Sequence, residues 1–316
     1  MHEAFEAHRS HLFGVAYRML GIRAEAEDAV QETWLRYAAA RPDVTDLRAW
    51  LTTVVARICL DVLRSARVRR AAYVGPWLPE PLVSRLPADD DPAETAVRAE
   101  QVSLALLVVL ERLTPEQRVA FVLHDVFGVP FADIATVLSV SPAGARQLAS
   151  RGRRAVDAVP PARLSGGAAP AEQRRVLAAF LAAAERGDLA ALVRVLAPDV
   201  EFVGDGGGLA PSVRRPLVGA QEVARLVAGL FHQARRRDPR WETVLVNGRL
   251  GYLVEARDLL VVVAPIVADG AIVALYHMLN PEKLRDVPRP GPSATARPPG
   301  VGPDDGSPDA GASSPR

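Results

Sequence analysis

Residues 139–156 read Ser139-Val140-Ser141-Pro142-Ala143-Gly144-Ala145-Arg146-Gln147-Leu148-Ala149-Ser150-Arg151-Gly152-Arg153-Arg154-Ala155-Val156. At helical spacing, Ala145, Leu148, Ala149, Gly152, Ala155 and Val156 share one face, and Arg146, Gln147, Ser150, Arg151, Arg153 and Arg154 share the other. Ser141 occupies an N-cap position and Pro142 the first turn. Upstream, Phe131 to Leu138 fits a short helix, and Thr114-Pro115-Glu116-Gln117 is a capping box launching a helix that stops at Gly128. A short helix, a three-residue turn and a second helix with a cationic outer face describe a helix-turn-helix, whose second helix enters the major groove. Arg146 and Gln147 stand where side chains read guanine and adenine edges, and Arg151, Arg153 and Arg154 suit phosphates, with Ser150 on the same face. A surface helix of an ordinary bundle is the competing reading.

An earlier helical block shows the same separation. From Leu47 to Leu63 the apolar positions Leu47, Trp50, Leu51, Val54, Val55, Ile58, Cys59, Val62 and Leu63 form one helical stripe. The remaining face and its continuation carry Arg57, Arg64, Arg67, Arg69 and Arg70 against Asp61 alone. A merely solvated face interleaves both signs, so this one reads as a phosphate-binding surface. The helix Ala24 to Ala38 buries Ala26, Val30, Trp34 and Tyr37 and leaves an acid-rich stripe that includes Asp28, Gln31, Glu32 and Arg36.

The chain of 316 residues is long enough for two or three domains. Its 49% hydrophobic and 24% charged residues exclude wholesale disorder and a disulfide-rich mini-domain. The lone Cys59 reads as a small buried hydrophobe. A net charge of +1 gives no global basic field, so nucleic-acid binding must rest on local patches. The amino terminus lacks a secretory pattern and the longest apolar run, Leu259 to Ala268, is half a membrane span, so a cytoplasmic protein is expected. Punctuation divides the chain into helical residues 1–71, a Pro- and Asp-rich linker 72–93, helical residues 94–157, a second linker 158–170, an α+β unit 171–286, and a Pro/Gly-rich tail 287–316 expected to be disordered. In the α+β unit a helix carrying Val176, Leu177, Phe180 and Leu181 precedes strand-like runs at Val200–Val203, Thr243–Val246, Gly251–Glu255, Leu259–Val263 and Ala271–Met278.

The string Asp28-Ala29-Val30-Gln31-Glu32-Thr33-Trp34-Leu35-Arg36, then Ala49-Trp50-Leu51, then the helix-turn-helix, resembles bacterial extracytoplasmic-function (ECF) sigma factors over residues 1 to about 157. Tyr73-Val74-Gly75-Pro76-Trp77-Leu78-Pro79-Glu80-Pro81, with Asp205-Gly206-Gly207-Gly208 and Asn280-Pro281-Glu282-Lys283-Leu284, resembles the subfamily carrying a SnoaL-like extension, although Leu209 stands where a basic residue commonly follows the glycines. The resemblance implies a multidomain chain: two all-α sigma domains, a helical bundle and a helix-turn-helix, followed by an α+β cone of the SnoaL or NTF2-like type. It implies a promoter-recognition subunit in which Asp28, Gln31, Glu32, Leu35 and Arg36 dock on the β′ clamp of RNA polymerase core. The loop Ala39 to Asp46 and the following helix, with Arg57, Arg64 and Arg67, would capture the minus-ten element of promoter DNA, and Arg146 to Arg154 would read the minus-thirty-five element. Asp89-Asp90-Asp91 would thread the polymerase with the linker, or merely be solvated.

Asp205, Gly206, Gly207, Gly208, Asn280, Pro281 and Lys283 are the candidate regulatory residues, expected to contact the sigma portion and control its two DNA-binding blocks. The glycine run itself reads as a flexible turn, because Leu209 breaks the phosphate-loop pattern. An acid/base site would need Asp205 with His232 and His277, whose separations carry no metal-ligand signature. No catalysis, cofactor or metal is expected; a small-molecule ligand of the cone remains open. The alternative is a polyketide cyclase or ketosteroid isomerase-like enzyme fused to a helix-turn-helix regulator.

Overall fold

The computed structural model describes residues 2–86, 102–165, 168–292 and 294–298. Helices α1 (His2–Leu20), α2 (Arg23–Ala40) and α3 (Leu47–Ala71) pack together as a bundle. The i, i+3/i+4 stripes read from sequence point inward: Val30 and Tyr37 from α2 meet Leu51, Val55, Cys59 and Leu63 from α3 around buried Leu12, Val15 and Met19 of α1. Phe5, Trp34, Tyr37 and Trp50 form an aromatic chain with ring centroids 5.2 to 6.2 Å apart. Burial pushes the Cys59 thiol well above its usual range, so it packs as a hydrophobe.

The second helical unit comprises α4 (Leu104–Leu110), α5 (Pro115–Phe121), α6 (Phe131–Leu138) and α7 (Pro142–Asp157). Thr114 and Gln117 close the capping box reciprocally, at 3.3 and 3.2 Å, and the Ser141 Oγ accepts the Gly144 amide at 3.1 Å. One feature departs from the expected continuous helix: Val122–Val126 is a π-helical turn, with the Phe127 N–H donating to the Val122 carbonyl. The widened turn is locked by His124, whose ring stacks on Phe131 at 3.9 Å while its Nδ1 bonds the Val129 carbonyl. It presents Asp125 to α7, where the carboxylate accepts from Arg153 at 2.6 Å.

The α+β unit follows. The short helix α8 (Pro161–Ser165), in the segment read as a linker, packs between α4 and the strand Leu259–Ala268. Then come α9 (Pro170–Arg186), α10 (Leu189–Val195), β2 (Leu196–Asp205), β3 (Leu217–Val218), α11 (Ala220–Arg235), β4 (Arg240–Val246), β5 (Arg249–Ala256), β6 (Leu259–Ala268) and β7 (Ala271–Met278). The sheet order is β1-β4-β5-β6-β7-β2-β3, where β1 is Val83–Arg85. All neighbouring pairs are antiparallel except β2 with β7. Helices α9, α10 and α11 pack on one another, with α10 and α11 against β2. The architecture is thus the expected one, two all-α units and then an α+β unit.

Two segments differ from their sequence reading. The first linker contributes a strand: Val83 to Arg85 pair with Val246 to Val244 at the edge of the carboxy-terminal sheet. The composition of 287–316 predicts a disordered tail from Val287, yet residues up to Pro298 run along the same edge. Trp241 and Thr295 exchange backbone hydrogen bonds of 2.7 and 2.9 Å, and the Gly291 amide donates to Glu242 at 2.7 Å. The tail begins where β1 stops covering β4, so a free strand edge supplies the partners that composition alone could not reveal. The stretch Asp89-Asp90-Asp91 and the chain beyond Pro298 lie outside the described residues.

Candidate functional site

The three units meet on the string Tyr73 to Leu82. At the end of β2, buried Asp205 receives three donors: the Tyr73 hydroxyl on Oδ1, and the Leu78 amide (2.8 Å) and Lys283 Nζ (2.7 Å) on Oδ2. Lys283, the only lysine of the chain, also donates to the Leu78 carbonyl at 2.6 Å and lies 3.1 Å from the centre of the Trp77 ring. Asn280 donates to the Tyr73 hydroxyl at 2.8 Å. Burial, then the hydrogen bond to Asp205 and its charge, push the Tyr73 phenol up, so it stays a donor. An ion pair this buried is costly to half-remove, because the remaining charge loses its partner in a poorly solvated place.

The glycine loop is a close approach and not a flexible turn. Gly207 has φ +60°, and a Cβ there would lie 2.4 Å from Asn280 Nδ2; one on Gly206 would lie 2.2 Å from the Ala210 carbonyl oxygen. Leu209 is left exposed, as is Pro281.

A second clamp uses Asn247, at the left-handed position of the β4–β5 hairpin with φ +49°. Its Oδ1 accepts the Leu82 amide at 3.1 Å, and its Nδ2 donates to the Tyr17 hydroxyl at 3.1 Å and the Val102 carbonyl at 3.0 Å. Its own amide donates to the Leu82 carbonyl at 2.8 Å. One buried amide therefore holds α1, the middle of the linker and the approach to α4. Next to it, Glu80 inserts into the α1–α2 corner: its amide bonds Gly21, its carbonyl accepts from Tyr17 at 2.6 Å, and its carboxylate accepts the Arg23 amide at 2.8 Å. That carboxylate supplies the N-terminal acceptor that Ile22 lacks. Burial pushes the Glu80 carboxyl up, outweighing the Arg23 hydrogen bond.

The two helical units also pack directly. Arg118 of α5, only 2% exposed, pairs with Glu111 at 2.7 Å and donates to the Arg18 carbonyl near the end of α1 at 3.3 Å. Arg18 lies over the Phe127 ring and His11 meets its edge. Arg48 donates to His11 Nδ1 at 3.1 Å, and the other ring nitrogen lies 2.9 Å from the Thr52 hydroxyl. Burial, then the charge of Arg48, lower the His11 pKa to about 4. Of the arginines expected on DNA from α3, Arg57 donates to the Thr136 carbonyl at 3.1 Å and Arg64 pairs with Glu116 at 3.1 Å. In this arrangement both are spent on the second helical unit. The side chain of Arg67 lies outside the described residues.

On α7, Arg146, Gln147, Arg151, Arg153 and Arg154 are exposed and Ser150 is partly so, while Arg146 also stacks on Phe131. Arg153 is committed to Asp125 and is not a free cation. On α2, Asp28, Gln31, Leu35 and Arg36 are exposed along one stripe, with Glu32 and Arg36 paired at 3.0 Å. Leu35, 54% exposed, is an apolar side chain in a polar face. The acid/base trio is not assembled: Asp205 is consumed as described, His232 is exposed on α11, and His277 lies against Phe202 with burial lowering its pKa to about 4.

The architecture has clear relatives. The family model for Sigma-70 region 2 matches residues 4–69, and that for Sigma-70, region 4 matches residues 103–156. The chain is 48% identical over 296 residues to the ECF RNA polymerase sigma factor SigJ of Mycobacterium tuberculosis (strain ATCC 25618 / H37Rv), covering 90% of this chain and 93% of the relative. The chain belongs to the ECF sigma factors. This sigma factor is also 41% identical over 201 residues to the probable ECF RNA polymerase sigma factor SigI of Mycobacterium tuberculosis (strain CDC 1551 / Oshkosh), across 62% of this chain and 67% of that one. A crystal structure of SigJ superposes with a TM-score of 0.71 at 42% identity, covering 90% of this sigma factor and 98% of that chain. The bundle α1–α3 is thus sigma region 2 and α4–α7 sigma region 4. Within the sigma factor, the string Tyr73 to Pro81 and the motifs at 205–208 and 280–284 were legible by resemblance. Asn247, Tyr17, Glu80 and Arg118 were missed, and only the Asn247-Gly248 turn signal could have drawn attention to one of them.

Proposed function

We propose that this sigma factor directs RNA polymerase core to promoters under the control of its own carboxy-terminal domain, which holds the interdomain linker and with it a closed packing of regions 2 and 4. The observation that carries this reading is the pair of clamps on the linker, Asp205–Lys283 on Tyr73 to Leu78 and Asn247 on Leu82 and Val102. In the closed packing Arg57 and Arg64 are occupied by region 4, so promoter capture requires the two regions to part. The α2 stripe around Leu35, with Asp28, Gln31, Glu32 and Arg36, is the docking surface for the β′ clamp, and it stays exposed in the closed packing. Core binding on that stripe and DNA binding by Arg146, Gln147, Ser150, Arg151, Arg153, Arg154, Arg57, Arg64 and Arg67 would then pull against the clamps. Asp205, Gly206, Gly207, Gly208, Asn280, Pro281 and Lys283 are regulatory in this reading, and the protein is a non-catalytic factor working in the cytoplasm, where polymerase and promoters are.

Run-off transcription with purified core polymerase tests it, comparing the intact chain with a form ending near Leu164. Core-dependent initiation that differs between the two forms is expected. Leu35→Asp should lose core binding without loss of thermal stability. Equal activity of the intact and shortened forms would overturn control by the carboxy-terminal domain.

A further inference from the structure

Residues Ala296 to Pro298 of the tail border a cavity that none of the sigma contacts uses. About 310 Å³ in volume, it is lined by Glu185 of α9, Phe231 and Arg235 of α11, Trp241 of β4, and Arg297 and Pro298 of the tail. Its chemistry is specific. Phe231 and Trp241 present adjacent rings with centroids 5.3 Å apart. Glu185 Oε2 and Trp241 Nε1 are both buried and have no hydrogen-bond partner among the described residues. The other carboxylate oxygen of Glu185 faces the Arg297 guanidinium at 3.9 Å, too far for a close pair. Arg235 is turned away to the Glu185 backbone carbonyl, and Asp238 adds a second carboxylate to the lining. With Arg297 withdrawn, the Glu185 carboxylate is left without a cationic partner, because the Arg235 guanidinium is engaged by the Glu185 backbone carbonyl. Aromatic faces beside a buried carboxylate are the combination that recognises an organic cation, and the volume suits a small one.

We propose that this cavity binds a small organic cation, a protonated amine or guanidine, and that Arg297 of the tail is its built-in competitor. The ligand's cationic group takes the place of the Arg297 guanidinium on Glu185, its alkyl part lies on Phe231 and Trp241, and an acceptor atom, where present, meets the indole N–H. Binding displaces the strap. The strap is tied at Gly291 to Glu242, and Glu242 also pairs with Arg85 of β1 at 3.1 Å, so release of the tail loosens the anchor of the linker strand. That coupling rests on the function proposed above, whereas binding itself does not.

Calorimetric titration of the full-length protein with ethylguanidinium chloride, using ethylurea as the neutral control, tests the site. A tethered side chain competes at an effective concentration in the millimolar range, so Arg297→Ala should bind ethylguanidinium about tenfold more tightly than the wild type or better. Glu185→Gln in the Arg297→Ala background should abolish binding, and ethylurea should not bind. Hydrogen exchange at the Trp241 and Thr295 amides should quicken in wild type on adding ethylguanidinium. Equal affinity of wild type and Arg297→Ala, or binding that survives Glu185→Gln, would overturn the proposal. Binding that obeys these rules but leaves run-off transcription unchanged would support the site and count against the regulatory reading instead.

Discussion

Replacing Asn247 by glycine removes the side-chain hydrogen bonds to the Leu82 amide, the Tyr17 hydroxyl and the Val102 carbonyl in one step. Glycine keeps the left-handed turn at φ +49° without strain, so the hairpin itself should survive. Tyr17 still donates to the Glu80 carbonyl, and the main cost falls on the junction between linker, region 2 and region 4. At a net ~1 kcal/mol for each of the three bonds, the closed arrangement loses about 3 kcal/mol. That is roughly a hundredfold in the ratio of closed to open forms. Spin labels on cysteines placed at exposed Glu6 and Asp157 would report the distance between regions 2 and 4, with the buried Cys59 left in place. Asn247→Gly should convert one short distance into a broad, longer distribution. Asn247→Ala should be worse by a further ~1 kcal/mol, because alanine is strained in the left-handed region. An unchanged distance distribution in Asn247→Gly would refute the claim that this residue holds the regions together.

Lys283→Met leaves Asp205 buried with one charge partner fewer, so urea unfolding should show a loss of about 3–5 kcal/mol. The double variant Lys283→Met/Asp205→Asn should regain more than half of it, and additive losses would contradict a coupled pair. Asp125→Asn releases Arg153 from its ion pair. The salt dependence of promoter binding by the holoenzyme should then steepen by about one ion, and an unchanged slope would mean that Arg153 never reaches a phosphate. His11 and His277 have pKa values lowered to about 4. Between that value and about 6.5 the unfolded chain binds more protons than the folded one, so the stability they contribute is full above pH ~6.5 and is lost as pH falls toward 4. Chemical denaturation across this window should show a flatter slope in His11→Asn/His277→Asn.

Where local pattern carries the information, the sequence was read closely. The two faces of α7 separate completely, and the Thr114–Gln117 box and Ser141 cap are satisfied within three residues of themselves. The α2 stripe needed only helical spacing to be seen. What the pattern could not carry is partnership across the chain. Asp205 meets Tyr73 and Leu78 more than 120 residues away, and no periodicity connects them. The string Tyr73 to Pro81 stood out by resemblance, without any sign of which atoms it bonds. The strand β1 is three residues long and exists only because β4, far downstream, offers an edge. Arg118 sits in a chain rich in arginine, so its burial against Glu111 left no compositional trace. Arg57 and Arg64 were read as free cations because the second helical unit that engages them lies beyond any local window.

The strand β1 also has a consequence for length. With Val83–Arg85 bonded to the sheet, sixteen residue steps of chain separate Leu86 from Val102, at the approach to region 4. Fully extended, that reaches about 55 Å, roughly the rise of 16 base pairs of duplex at 34–36 Å per turn. With both clamps and the strand released, the count would run from Ala72, thirty steps, with a reach of about 100 Å. The two clamps and the paired strand together therefore about halve the length of chain available between regions 2 and 4, and so cap how far the two can part while the linker stays bonded.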